Sequence, residues 1–198
     1  MAVNVSLEAA ARIRPRLGES GAGDTAVIRQ VDDGLVIGMV DVLGHGPEAH
    51  AVAVRIKEFL ERSRATDPSI LMNGLHELLK GSARGAAAGI CSISARDGML
   101  RYVGHGNTRA RRLWQRATRL VSRDGLIGSA IRKHHEQSIK LAPGDIVLFY
   151  TDGVTDRFDL EDYRHAISDT PRSLAHNVIE MFGKDHDDAA CVALRIAE

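Results

Sequence analysis

The sequence predicts an α+β protein in which antiparallel sheets carry helices on their outer faces. Two features of the chain lead to that class. First, apolar β-rich runs come in pairs joined by short turns, at Asp32-Asp33-Gly34 and at Arg96-Asp97-Gly98, which is a hairpin signature. Second, helical periods come as a pair near the middle and one late, whereas parallel βαβ units would alternate more strictly. The 198 residues fit one domain over 1–198, large enough to bury roughly 70% of its unfolded surface without a disulfide or metal staple.

The elements follow in order. Val3, Val5 and Leu7 alternate, so an N-terminal strand is expected. Asp24 to Val31 and Leu35 to Val42 are the strands of the first hairpin. A helix is expected from about Pro47 to Ser63, with Val52, Ile56, Phe59 and Leu60 on one face. Pro47 suits the first turn, where a missing N–H costs nothing. Asp67 then caps a second helix with Pro68 at its first position, and Leu71, Leu75, Leu78 and Leu79 line one face. Ala86 to Ala95 and Met99 to Val103 form the second hairpin. Shorter strands are expected over Arg109 to Trp114 and Glu136 to Leu141. Pro143-Gly144 turns the chain into a strand from Ile146 to Thr151. The segment Phe158 to Asp169 is polar and reads as exposed. A last helix starts at Thr170-Pro171, carries Leu174, Val178, Met181 and Phe182, and stops at Gly183. The strand Ala189 to Ile196 closes the chain.

Composition excludes several functions. Lys+Arg and Asp+Glu are 26 each, so the formal charge is zero, which argues against nucleic acid or an anionic membrane as the main partner. Aromatic residues are only 4%, too few for a base-stacking platform. Cys91 and Cys191 form no C-x-x-C motif and read as small buried hydrophobes in a reducing compartment. The start lacks a signal-peptide pattern, and no run approaches the ~20 apolar residues of a spanning helix. A cytoplasmic protein acting as a monomer is expected.

Acidic residues stand where strands should end: Asp41 after Met39-Val40, Asp152 after Phe149-Tyr150-Thr151, and Asp187-Asp188 before the final strand. Asp24 opens the first hairpin behind Gly21-Ala22-Gly23. A carboxylate at the end of an apolar strand is costly to desolvate unless it is paired or binds a cation. No Lys or Arg flanks Asp41 or Asp152 in sequence. Several carboxylates meeting at one point would repel, and a hard divalent cation such as Mg²⁺ or Mn²⁺ resolves that repulsion. Taken singly, each is an ordinary turn or cap, as Asp33 and Asp97 are in their hairpins.

Taken in order, Gly23-Asp24, Asp41-Val42-Leu43-Gly44-His45-Gly46, Thr151-Asp152-Gly153-Val154 and Asp187-Asp188 resemble the PPM family of metal-dependent Ser/Thr protein phosphatases, in its SpoIIE-like branch. Gly104-His105-Gly106-Asn107 resembles that branch's glycine-rich strand end, and Gly125-Leu126-Ile127-Gly128 its later loop. The resemblance spans nearly the whole chain. It implies a four-layer αββα sandwich, two antiparallel β-sheets flanked by helices. It implies two divalent cations, Mn²⁺ or Mg²⁺, with Asp41 bridging them, the Val42 carbonyl on one, and Asp152 and Asp187 on the other. Asp24 matches an outer acid that orients water. Asp188, Gly44, His45 and Gly153 take supporting places. For His45, packing at the helix start and proton donation both stand as readings. Arg14, Arg16 and Arg29 are near the N-terminus, but none aligns with the phosphate-binding Arg of eukaryotic members. Ala190 stands where the family usually has Thr.

The implied activity is hydrolysis of a phosphoserine or phosphothreonine ester. The stand-alone length resembles the stressosome-resetting members of the branch, which implies a phosphorylated STAS-type regulator as partner, docked near Phe158 to Asp169 through residues such as Arg157 and Arg164. The alternative is a catalytically weak or inactive relative that serves as a regulatory binding module.

Overall fold

The computed structural model describes residues 5–113, 117–155 and 170–197. Ten strands and three helices follow one another as β1 (Ser6–Arg14), β2 (Asp24–Val31), β3 (Gly34–Val42), α1 (Gly46–Arg62), α2 (Pro68–Leu79), β4 (Ala86–Ser94), β5 (Met99–His105), β6 (Arg109–Arg112), β7 (Thr118–Leu120), β8 (Gln137–Lys140), β9 (Ile146–Tyr150), α3 (Pro171–Phe182) and β10 (Ala189–Ala197). They build two five-stranded sheets, ordered β1-β10-β9-β6-β7 and β2-β3-β4-β5-β8, and every strand pairing is antiparallel. The expected α+β sandwich is present.

Three apolar layers hold it together. Ile37, Met39, Cys91, Tyr102, Phe149 and Val192 lie between the sheets. Val36, Val40, Ile56, Leu71, Leu75 and Ile90 join α1 and α2 to one sheet. Leu148, Tyr150, Leu174, Val178, Ile179 and Cys191 join α3 to the other. The central strands are buried on both faces, so β3, β9 and β10 read as continuous apolar runs rather than alternating ones.

The helices match expectation in place and differ in face. On α1 the buried row is Ala49, Ala53, Ile56 and Leu60, while Val52 and Phe59 are half-buried. Small side chains let this helix approach the sheet closely. On α3 the buried row is Leu174, Ala175, Val178 and Ile179, and Met181 is exposed. Asp67 caps α2 as expected, accepting from Ser69 N and Ile70 N at 2.9 and 3.1 Å. Thr170 accepts from Ser173 N and caps α3.

Two strands differ from expectation, β1 in its extent and β7 in its existence. The expected N-terminal strand is present but runs on from Ser6 through an alanine-rich, locally helix-favouring stretch to Arg14, pairing with β10 from Ser6↔Ala197 to Arg14↔Ala189, because pairing along a buried strand outweighs intrinsic propensity. β7 has no counterpart among the expected strands; it is three residues long and too polar to show a period. Val3, Trp114 and the segment Phe158 to Asp169, with Arg157 and Arg164, lie outside the described residues. No helix among the described residues is long and apolar enough to cross a membrane.

Both cysteines are fully buried, and burial pushes both thiols well above their ordinary pKa. Native protein is therefore expected to resist thiol alkylation. Cys91→Ser and Cys191→Ser should each cost about 1–3 kcal/mol of stability, since a hydroxyl costs more than a thiol to hold in these apolar layers. Rapid alkylation of folded protein, followed by mass spectrometry, would contradict this.

Candidate metal centre

Strand register brings the acidic residues together. In one sheet, Asp24 at the start of β2 pairs directly with Asp41 near the end of β3. In the other, Tyr150 ends β9 opposite Cys191, so Asp152 and the Asp187-Asp188 pair flank the same end of the β9–β10 ladder. Thr151 N donates to Ala190 O at 3.2 Å, and Ala190 N donates to Thr151 Oγ1 at 3.0 Å, which extends that ladder. The two ends meet: Thr151 Oγ1 donates to Asp24 Oδ2 at 2.6 Å, across the seam between the sheets.

The electrostatics of the seam are those of crowded anions. Burial first, and Asp152 beside it second, raise the Asp41 carboxyl to a pKa of about 7, against a hydrogen bond from Asn107. Asp24 is only 5% exposed, and burial, then Asp41, hold its carboxyl well above the usual range despite the Thr151 hydrogen bond. Asp187 is also raised, by burial first and by Asp152 second.

Asn107 and Lys184 complete the surroundings; Asn107 closes the glycine-rich motif Gly104-His105-Gly106-Asn107 without a site role being read from it, and Lys184 does not stand out in sequence. Asn107 Nδ2 donates to Asp152 Oδ2 at 2.6 Å. Register explains it: Arg109 pairs with Tyr150, so Asn107 stands two rows further along, opposite Asp152. Lys184 Nζ donates to the Asp152 carbonyl at 2.5 Å and lowers the Asp187 carboxyl pKa by its charge. A cation thus stands beside Asp152 through the fold, although none flanks it in sequence.

The remaining expected residues frame the cluster. Asp188 is buried and turned to the backbone, accepting from Arg16 N and Gly23 N at 2.7 Å each. It ties the end of β1 and the start of β2 to β10. Gly153 passes so close to Asp188 that a Cβ would overlap the Asp188 carbonyl. Gly44 has φ +84°, and a Cβ there would overlap the Arg84 guanidinium. Val42 buries its side chain beneath α1 and α2, leaving only its backbone at the seam. His45 caps α1 without a side-chain capping bond and turns its Nδ1 to Glu19 Oε1 at 3.1 Å, rather than to a carboxylate of the cluster.

Asp188→Ala strands two buried N–H groups. It is expected to cost about 2–5 kcal/mol in urea unfolding, with Asp188→Asn losing less because one acceptor remains. A loss under about 1 kcal/mol would show that the clamp is dispensable.

Among the described residues, no group of three or more His, Cys, Asp or Glu is gathered tightly enough to hold an ion with its side chains as they stand. The donor set still fits a hard cation in kind: Asp41, Asp152 and Asp187 are oxygen ligands whose mutual repulsion a divalent charge would relieve. Without that charge, Asp152 leans on Asn107 and Asp24 on Thr151.

Comparison with known proteins agrees with this frame. A family model described as Stage II sporulation protein E (SpoIIE) matches residues 31–197. No curated protein sequence matches significantly. Among solved structures, a chain from work on the bacterial stressosome, a modular system adapted to control secondary messenger signalling, is 25% identical, with a TM-score of 0.87 over 96% of this chain and 100% of that one. RsbX in complex with magnesium is 18% identical, with a TM-score of 0.82 over 98% and 100%. The PP2C phosphatase domain of SpoIIE from Bacillus subtilis, solved with a fragment of its regulatory domain, is 17% identical, with a TM-score of 0.75 over 96% of this chain and 63% of that one. The two-sheet sandwich is shared with these structures, and with a family match covering most of its length the chain belongs to the SpoIIE family.

Proposed function

We propose that the chain is a cytoplasmic, monomeric protein serine/threonine phosphatase, one catalytic domain over 1–198, working with two divalent cations, Mn²⁺ or Mg²⁺. The observation that carries this reading is the row Asp24, Asp41, Asp152 and Asp187, gathered from both sheets at one seam, with the proton affinities of Asp24, Asp41 and Asp187 raised by burial and by one another's charge. Perturbed carboxylates clustered in this way are a cost to folding that a metal-dependent reaction would justify. The family membership and the magnesium complex of RsbX support the choice of chemistry.

Bound cations would supply charge neutralisation for the phosphoryl oxygens and activation of the attacking water. The chain's own residues then have distinct roles. Asp41, central in the row, would serve both cations, the Val42 carbonyl would add a ligand to one, and Asp152 and Asp187 would hold the other. Asn107 fixes the Asp152 rotamer, and Lys184 offsets part of the negative charge. Asp24, buried and held by Thr151, orients water from behind Asp41. Hydrolysis proceeds without a covalent phospho-enzyme: both cysteines are buried with raised pKa values, far from thiolate form. The likeness to stressosome structures supports a phosphorylated STAS-type regulator as the substrate.

The test is hydrolysis of p-nitrophenyl phosphate and of phosphorylated candidate regulators. Activity is expected to vanish in excess chelator and return with Mn²⁺ or Mg²⁺. Full activity in chelator overturns the two-cation reading.

A further inference from the structure

The rung beyond Asp24↔Asp41 in the β2–β3 ladder is incomplete. Val42 N donates to Gly23 O at 3.3 Å. In a hydrogen-bonded antiparallel pair the two residues exchange both bonds, so Gly23 N would normally return one to Val42 O. Gly23 N instead donates to Asp188 Oδ2 at 2.7 Å. The neighbouring strand offers no replacement: Ala86, across from Val42 on β4, gives its N–H to Ile127 O at 3.1 Å. Asp188 thus takes the donor that the Val42 carbonyl would use, and leaves that oxygen available to a hard cation.

The direction of the carbonyl is set from the β4 side. Leu43 N donates to Gly85 O at 3.0 Å, and the peptide is trans. A planar trans peptide points its C=O opposite to its N–H, so the Val42 carbonyl points away from β4, toward the edge where Asp24 lies beside Asp41. Arg84 holds the next peptide. Its Nη1 donates to Leu43 O at 2.8 Å and its Nη2 to Glu48 Oε2 at 2.8 Å, which ties the turn to the first turn of α1. Gly44, at φ +84°, leaves the space that Nη1 occupies, since a Cβ there would overlap it. Both peptides around Leu43 are therefore pinned by the consecutive residues Arg84 and Gly85.

We propose that Arg84 is a positioning residue for the cation site: by holding the Leu43–Gly44 turn it keeps the Val42 carbonyl aimed at the carboxylate row. The inference rests on the two-cation reading and deepens it. The guanidinium has the wrong charge to attract a cation, and its bonds go to Leu43 O and Glu48 rather than to the row. Its contribution is geometric, so its removal weakens cation binding. A purely electrostatic role has the opposite sign, because loss of a positive charge near a cation site tightens binding. Groups that orient metal ligands account for roughly 10–100-fold in affinity. Gly85 keeps its own bond to Leu43 N, which places Arg84 at the lower end of that range.

The experiment titrates Mn²⁺ into wild type, Arg84→Met, Arg84→Gln and Arg84→Lys at pH 8, following free Mn²⁺ by electron paramagnetic resonance, with metal-free melting curves alongside. Arg84→Met and Arg84→Gln are expected to bind Mn²⁺ about tenfold more weakly. Their metal-free Tm should stay within about 4 °C of wild type, since the ion pair they lose is open to solvent on the Glu48 side. Arg84→Lys should recover part of the affinity, because one ammonium reaches Leu43 O but cannot fork to Glu48 as well. In p-nitrophenyl phosphate hydrolysis the Mn²⁺ concentration for half-maximal rate should rise about tenfold in Arg84→Met, with kcat at saturating Mn²⁺ within about threefold of wild type. Unchanged or tighter Mn²⁺ binding, in whichever of Arg84→Met and Arg84→Gln folds, overturns the positioning role and leaves the two-cation reading standing. A wild type that binds no Mn²⁺ and hydrolyses nothing overturns the two-cation reading, and the positioning role with it.

Discussion

Asp41→Ala and Asp152→Ala are each expected to lower turnover of p-nitrophenyl phosphate by roughly a thousandfold or more, about 4 kcal/mol of transition-state stabilisation. Each removes an oxygen ligand from the centre of the row, and no neighbour can replace it, because Asp24 is committed to Thr151 and Asp188 to two backbone amides. The same substitutions should not unfold the chain. Asp41 repels Asp152 and Asp187, so its loss relieves strain, and metal-free Asp41→Ala is expected to melt at or above the wild-type temperature at pH 8. A structural role predicts the opposite, loss of stability together with loss of activity. Asp97→Ala is the control: Asp97 also sits in an Asp-Gly turn, but it is fully exposed and bonds Met99 N in its own hairpin. It should leave turnover unchanged. Retention of more than a tenth of wild-type turnover in both Asp41→Ala and Asp152→Ala, with saturating Mn²⁺, would remove these residues from the reaction.

Local signals made most of the fold legible. Asp-Gly turns marked both hairpins, and Asp67-Pro68 and Thr170-Pro171 marked two helix starts within a residue. Tertiary choices were not legible. The alternation of Val3, Val5 and Leu7 announced an N-terminal strand but not its reach: beyond Leu7 the alanine-rich run to Arg14 shows no period, and what decides is the length of β10 available to pair with it. The buried face of α1 is led by alanines, which hydrophobic periodicity ranks below Val52 and Phe59 although close approach to a sheet favours them. In the site, the carboxylates could be read because a charge at the end of an apolar run is anomalous in one dimension. Asn107 is legible in sequence only as the end of a glycine-rich motif, not as a partner of Asp152, and Lys184 is unremarkable there. Their roles arise from pairing across 45 and 32 residues, through β6 against β9 and through the turn before β10. Of the two readings of His45, the structure agrees with packing at the helix start: the backbone at the start of α1 turns it to Glu19.

Metal-free protein is expected to lose stability as pH rises from about 4 to about 7, the reverse of the usual carboxylate behaviour, and Mn²⁺ should invert the trend. The sign follows from proton counts. The Asp41 carboxyl titrates near 7 in the folded chain, against an ordinary value of 3.8, and Asp24 and Asp187 are raised in the same direction. Between those limits the folded state holds protons that the unfolded state has released, so unfolding free energy falls with pH. It falls by up to about 1.4 kcal/mol per pH unit for each proton so held. Below pH 4 both states are protonated and the difference disappears; the Asp41 contribution levels off about one unit above pH 7. For a chain of this length a Tm lower by about 5 °C at pH 7.5 than at pH 5 is the expected scale. Cations compete with those same protons. Mn²⁺ at a hundred times its dissociation constant adds about 2.7 kcal/mol where the carboxylates are ionised, and far less at pH 5. Melting curves at pH 5, 6, 7 and 8, with chelator and with Mn²⁺, read both halves. A metal-free Tm that climbs between pH 5 and pH 7 shows that the seam is not a store of anionic repulsion. An equal Mn²⁺ shift at pH 5 and pH 8 places the bound ion away from these carboxylates.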